Sequence, residues 1–477
     1  MENGRTSWRW WICSLLFIAT TVNYLDRQVL SLTWKEFIAP EFHWTDNHYG
    51  NITAVFSIFY AFISLFAGRF IDWLGTKRGY IWAIVIWSFG ACLHALCGLA
   101  TMYHVGIPGK DALLAVERGS ELSLLMSTVS VWMFLACRIV LATGESGNFP
   151  AAIKVTAEYF PKKDRAYATS VFNAGASVGA LAAPVSIPLL AQKFGWEMAF
   201  IIIGGIGFIW AGLWQVFYTS PEKSRFVNAA ELAYINQDAA DDSAKETSAA
   251  EGPKISFFRC FCYRQTWAFI VGKLMTDGVW WFFLFWAPAY FSELGHPSTS
   301  GTGQALIFVL YLVVTLLSIC GGYLPRLFVE RMGMNPYAGR MRAMLIFACL
   351  PVFAMFAQPL ADISPWWPCI IIGLAGAGHQ AWSANLYSTI GDMFPKSAIA
   401  TITGIGTMFG GLCCFAINKG SGMLFTYADG VGEEFCFFGA TGKTAGYMMV
   451  FCYCAVAYLL AWVMMKSLVP RYKKIEG

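Results

Sequence analysis

Blocks of about 20 predominantly apolar residues recur from one end of this chain to the other, each long enough to cross the hydrocarbon core of a bilayer. That recurrence makes the chain a polytopic helical membrane protein. The composition agrees: of 477 residues, 57% are hydrophobic and only 13% charged, where soluble domains carry about 25% charged residues. A net charge of +4 spread over such a chain does not indicate nucleic acid as a partner. What matters is where the charges lie.

Hydropathy predicts six spans in the first half, at about 11–32, 48–71, 80–101, 124–147, 166–190 and 197–219. Six more are predicted at about 266–292, 303–326, 341–359, 366–391, 398–426 and 443–467. The expected fold is therefore all-α, with twelve transmembrane helices in two pseudo-symmetric six-helix bundles, 1–219 and 266–477. A middle loop, 220–265, joins them and contains the acidic, alanine-rich AADDSAKETSAAEG. With both termini in the cytoplasm, the cytoplasmic segments hold 24 of the 33 basic residues, as the excess of Lys and Arg on that side requires. Lys35, Lys110, Arg118, Lys193, Lys419 and Lys443 then fall to the outer loops. Arg27, Arg138 and Lys273 lie inside spans, so topology does not explain them. Arg5 and Arg9 precede an apolar run but no small-residue cleavage site follows, and the run reads as a retained first helix.

The fourteen cysteines lie mostly within spans or cytoplasmic loops, with Cys436 the main exception, and read as small apolar fillers. Cys260 and Cys262 lack the second pair or histidine cluster of a metal site. Enzyme motifs are missing as well: GESGN (144–148) is out of register for a nucleophile elbow, and GIGTMFGG (404–411) follows no strand. No cofactor is expected.

GRFIDWLGTKRG (68–79) after span 2 has a counterpart in GGYLPRLFVERMGMNPYAGR (321–340) after span 8. An internal repeat of this kind is typical of transporters. With those residues in view, the chain resembles the major facilitator superfamily, through Gly68, Asp72, Gly75, Lys77 and Arg78 of the gating motif between spans 2 and 3. Within that superfamily it resembles the anion:cation symporters, most closely bacterial hexuronate transporters. The segments carrying this are NYLDRQVLS (23–31), GESGNFPAAIKVTAEYFPKKDRA (144–166), FNAGASVGA (172–180) and HQAWSAN (379–385). In the second-half copy, Pro325 and Arg326 stand where an acid often does, which implies an asymmetric inner gate. The loop 102–121 is long for the family and reads as decoration.

The resemblance implies a proton-coupled symporter for a sugar-acid monoanion, glucuronate or galacturonate, acting as a monomer in a bacterial inner membrane. An aldonate or another organic anion is the alternative within the class; a non-transporting sensor or a membrane-embedded enzyme is the alternative outside it. The intramembrane polar residues supply the candidates, because ionisable groups at that depth are costly and default to function. Asp26 and Arg27 point about 100° apart on one helix, and Arg27 shares a polar stripe with Asn23 and Tyr24. Arg138 and Glu145 are seven residues apart on one face. By resemblance, Asp26 and Glu145 look like proton carriers, and Arg27 and Arg138 like anchors for the anion. Lys273 forms an i,i+4 pair with Asp277, and its helix continues to Trp280 and Trp281. His379, Trp382 and Ser383, with Asn385 beside them, suggest a hydroxyl-binding wall. Tyr60 and Asn173 are weaker additions. Lys154, Lys162, Lys163 and Arg165 read as a solvated cytoplasmic face, and His94 as a satisfied interior histidine.

Overall fold

The computed structural model describes residues 6–237, 258–318, 320–394, 396–473 and 475. The acidic stretch of the middle loop lies outside them. Twelve long helices follow one another. In the first half they are α1 (Trp8–Thr33), α2 (Asp46–Leu74), α3 (Thr76–His94), α4 (Glu121–Glu145), α5 (Lys162–Phe194) and α6 (Trp196–Phe217). In the second half they are α7 (Arg264–Glu293), α8 (Gly301–Ser318), α9 (Pro336–Cys349), α10 (Trp366–Met393), α11 (Lys396–Val431) and α12 (Gly442–Leu468). A two-stranded hairpin, Cys436–Phe437 with Ala440–Thr441, sits between α11 and α12.

Nine helical segments among the described residues are long and apolar enough to span a membrane, and α3 makes a tenth together with Cys97–Val105, to which it is bent by 50°. The two that fall short in apolarity are α1 and α10, although they run 26 and 28 residues. These two carry NYLDRQ and HQAWSAN, so polar residues are concentrated on the helices expected to line a path.

Packing repeats between the halves. α1 lies against α5 as α7 lies against α11; α2 and α3 lie against α4 as α8 and α9 lie against α10. Across the interface, α2 packs on α11 and α5 on α8, the exchange that a two-fold axis between equivalent halves produces. Small residues permit the close approaches. A Cβ on Gly144 would sit 2.3 Å from the Trp87 nitrogen and 2.5 Å from the Ala83 oxygen, so α4 meets the α3 backbone directly beside Glu145. α2 turns into α3 in one residue because Gly75 takes φ +77°, a conformation open to glycine without steric cost.

The described part of the middle segment divides between the halves: 258–265 packs on α7 and near Phe394, whereas 220–237 packs on the first half. Glu231, in the short helix Ala229–Ile235, is fully buried and accepts from the Trp8 and Arg9 amides, both at 3.2 Å, and from Arg9 Nη1 at 2.9 Å. Its carboxylate thus satisfies free N–H groups at the start of α1, where a negative charge is favoured. The 102–121 loop is also more than decoration. Leu113 is fully buried there, and Lys110 reaches Glu197 at 2.8 Å and Glu41 at 3.5 Å. Burial pushes the Glu41 carboxyl above its ordinary value, with Trp196 and Lys110 opposing.

Candidate functional site

The buried charges of the first half converge from helices distant in sequence. Arg27 on α1 donates through Nη2 (2.9 Å) and Nε (3.2 Å) to the same oxygen, Oε2, of Glu145 on α4. Both side chains are buried, Glu145 completely. Three aromatic rings surround the guanidinium: Tyr60 at 4.9 Å, Trp281 at 5.2 Å and Tyr24 at 5.3 Å. Such faces attract a cation, more strongly when water is excluded. Trp281 comes from α7, so the second half contributes directly to the surroundings of a first-half arginine.

Arg138, two turns before Glu145 on α4, makes no bond to it. Its guanidinium lies over Phe56 at 5.3 Å and its Nη1 has no hydrogen-bond partner among the described residues. Glu145 Oε1 is likewise without one. Asp26 points away from Arg27, as the helical angle requires, into a buried space near Trp87, Glu145 and Arg138. Neither of its oxygens is hydrogen-bonded among the described residues. The polar atoms of Asn23 and Gln28 are similarly buried and have no partners among the described residues. The arrangement holds two carboxyl groups, one salt-bridged and one not, beside an arginine with unused donors. It can bind an anion and hold protons.

In the second half, Lys273 pairs with Asp277 at 2.6 Å and donates to the Tyr387 hydroxyl at 3.0 Å. His379 Nδ1 lies 2.7 Å from the Tyr458 hydroxyl of α12, and its ring stacks on Trp280 at 5.7 Å. Trp382 packs edge-on against the same Tyr458 at 5.6 Å and is fully buried. Both side chains thus touch Tyr458, and Trp382 Nε1 has no hydrogen-bond partner among the described residues. Asn385 Nδ2 donates to the Ala381 carbonyl, Ser383 is half-buried and Asn173 exposed. Neighbouring Trp280 and Trp281 divide between a packing role and the arginine box.

The residues expected to form a gating motif make a separate constellation at the end of α2. Asp72 bonds Lys154 at 2.6 Å, so Lys154 is not part of a freely solvated face. Arg165 also differs from that expectation, donating to the carbonyls of Phe160 and Ala157; the side chains of Lys162 and Lys163 lie outside the described residues. Gly75, Lys77 and Arg78 line a cleft with Lys154 and Glu158. Gly68 has open space where a Cβ would be. In the second-half copy, Arg326 bonds Glu330 within its own helix at 2.6 Å. His94 is half satisfied: Nδ1 meets the Gly90 carbonyl while Nε2 has no partner among the described residues.

Lys419 is assigned to an outer loop by charge although the predicted span 398–426 contains it, and the structure follows the span. The lysine lies inside α11 and not in an outer loop, donating to the side-chain oxygens of Asn47, at 3.2 Å, and Asn51 on α2. The halves are joined at this end, away from the termini. Tyr49 donates to the Phe285 carbonyl at 2.8 Å and Ser298 to the Leu32 carbonyl at 3.0 Å. Beside them Lys35, Asp46, Glu293 and Lys443 form a ring of ion pairs. Only tertiary packing reveals Lys419, Asn47, Asn51 and Gln28; a lysine within an apolar stretch was the one sequence signal.

Two helical halves with exchanged contacts, closed at one end over buried charges, form an architecture suited to a multi-pass membrane transporter. The chain belongs to the Major Facilitator Superfamily, whose family model matches residues 16–417. It is 28% identical over 405 residues to the hexuronate transporter of Escherichia coli (strain K12), covering 84% of each chain. It is 26% identical over 363 residues to the galacturonate transporter of Dickeya chrysanthemi, covering 75% of this chain and 94% of that one. A solved bacterial homolog of the human lysosomal transporter Spinster, inward-facing and unoccupied, superposes with a TM-score of 0.70 at 16% identity, covering 99% of this chain and 100% of that one; at that identity the likeness concerns the fold.

Proposed function

We propose that the protein imports a sugar-acid monoanion, a hexuronate such as glucuronate or galacturonate, together with protons, by alternating access in a bacterial inner membrane. Both termini face the cytoplasm in this reading, so the joined end faces outward. The observation that carries it is the buried Arg27–Glu145 pair beside an unpaired Asp26, in a chain similar to transporters named for hexuronates. A substrate carboxylate suits a guanidinium fork. As it takes Arg27 from the ion pair, Glu145 loses its counter-charge and a proton restores neutrality, while the unused donors of Arg138 offer a second hold on the carboxylate. Asp26 holds a second proton. No cofactor enters; the proton is the coupling ion.

The charge balance favours this scheme. A sugar acid, with a carboxyl pKa of about 3.5, is a monoanion at neutral pH. Moving it inward against an inside-negative potential costs about 2.3 kcal/mol per 100 mV. One proton cancels that cost and a second makes uptake favourable. The protein is reconstituted into liposomes and labelled galacturonate uptake is followed with and without an imposed proton gradient, with glucuronate, galactonate and glucose as competitors. Gradient-driven accumulation, blocked by glucuronate and not by glucose, is expected. Uptake indifferent to the gradient overturns the coupling; preferential block by galactonate moves the substrate to the aldonates.

A further inference from the structure

We infer that Lys419 is an anion-binding group of the vestibule that forms when the joined end of the molecule parts, a first station for the carboxylate on its way to Arg27. This rests on the anion-transport reading above. Lys419 is half-buried at the seam between the halves, and its Nζ contacts are the side-chain oxygens of Asn47 and Asn51. No carboxylate among the described residues pairs with it. An ammonium removed from water without a counter-charge is expensive, and neutral amide oxygens offset only part of that.

The ring beside it behaves differently. The first half supplies Lys35 and Asp46, the second Glu293 and Lys443. Pairs across the interface are Lys35–Glu293 and Lys443–Asp46, both 2.6 Å. Pairs within a half are Lys443–Glu293, at 2.8 Å, and Lys35–Asp46, at 4.0 Å. When the halves separate, the ring divides into two neutral pairs and strands no charge. Lys419 has no such recourse, because both its acceptors leave with α2. Opening therefore exposes one uncompensated cation on the second half.

Its position suits capture. Lys419 lies on α11 three residues before Gly422, whose Cα a Cβ on Gly50 would approach to 2.9 Å. This is the close backbone approach of α2 and α11 nearest the joined end, so the vestibule that forms when that end parts opens beside it. The ligand class is a hydroxylated organic carboxylate: the ammonium takes the anion, and the released Asn47 and Asn51 amides offer donors and acceptors to hydroxyls.

The test compares the two faces of the membrane. Galacturonate KM is measured for uptake into intact cells and for entry into inside-out vesicles, in the wild type, Lys419→Gln, Lys419→Arg and the double variant Asn47→Ala/Asn51→Ala, normalised to protein in the membrane. Lys419→Gln is expected to raise the KM for cell uptake about tenfold, equal to about 1.4 kcal/mol, and to change the vesicle KM less than twofold. Lys419→Arg keeps the cell-uptake KM within about threefold, and the asparagine variant does not reproduce the Lys419→Gln effect. A role confined to holding the seam predicts the reverse, with the asparagine and glutamine variants alike and both faces affected; that result overturns the proposal. Lys419→Met gives the same reading if the glutamine variant does not reach the membrane. Wild-type uptake with an unshifted KM in Lys419→Gln overturns this inference alone, whereas failure of the wild type to move any organic anion overturns the transport reading with it.

Discussion

Arg27 holds Glu145 through two nitrogens on one oxygen, which leaves the second carboxylate oxygen for a proton. Glu145→Gln cannot carry that proton, yet its amide can still accept from Arg27. Gradient-driven accumulation of galacturonate should fall to background in this variant while counterflow exchange persists; accumulation at the wild-type level would remove Glu145 from the coupling. Arg138 presents unused donors beside the same carboxylate. Arg138→Lys keeps the charge and loses the planar fork, so the KM for uptake should rise about tenfold or more, a loss of about 1.4 kcal/mol or more. Wild-type affinity would place the anion elsewhere. At this scale much was legible, since every charge of the site stands out in an apolar span. Which charge pairs with which was not. Arg138 and Glu145 share a helical face, but the partner that reaches Glu145 is Arg27, 118 residues away.

The helices bring these groups together through contacts that tolerate no side chain. Gly144 precedes Glu145 and lies against the α3 backbone. Gly144→Val forces α4 outward and should cost about 1–3 kcal/mol, the range for overpacking, read as a lowered thermal midpoint and slower uptake. Gly68→Ala meets open space and should leave the midpoint unchanged. Equal shifts in the two variants would show that the α3–α4 contact is not the constraint. α1 and α10 belong to this scale too. They have the length of a span, but their polar residues dilute the hydropathy, and both carry candidate site residues. His379 and Trp382 share a face of α10 by spacing alone, yet that face turns toward Tyr458 of α12. Spacing gives the face and not its direction.

Across the whole molecule, the state seen is set by how firmly one end is joined. The ring of Lys35, Asp46, Glu293 and Lys443 ties α2 and the segment Trp34–Ile38 that follows α1 to α7 and α12. Lys443→Ala removes one pair across the interface and one within the second half. Hydrogen exchange in 46–53 and 285–293 should then quicken about tenfold, the change that about 1.4 kcal/mol of lost closure produces. Unchanged exchange would move the closure to the α2–α11 crossing. Trp281 belongs to this scale as well, because it carries the second half into contact with Arg27 and allows movement of the halves to be felt at the ion pair.

The sequence by itself determined the class of fold and set Asp26, Arg27, Arg138, Glu145 and Lys273 apart within apolar helices, because hydropathy and charge are local properties that a bilayer reads residue by residue. It could not determine the rotation of each helix about its axis or the meeting of the two halves. Those depend on contacts between residues hundreds of positions apart, made by backbone approach at small residues. Tertiary structure therefore decided that Arg27 takes Glu145, that Asp26 stands alone among the described residues, and that Lys419 lies on the seam between the halves.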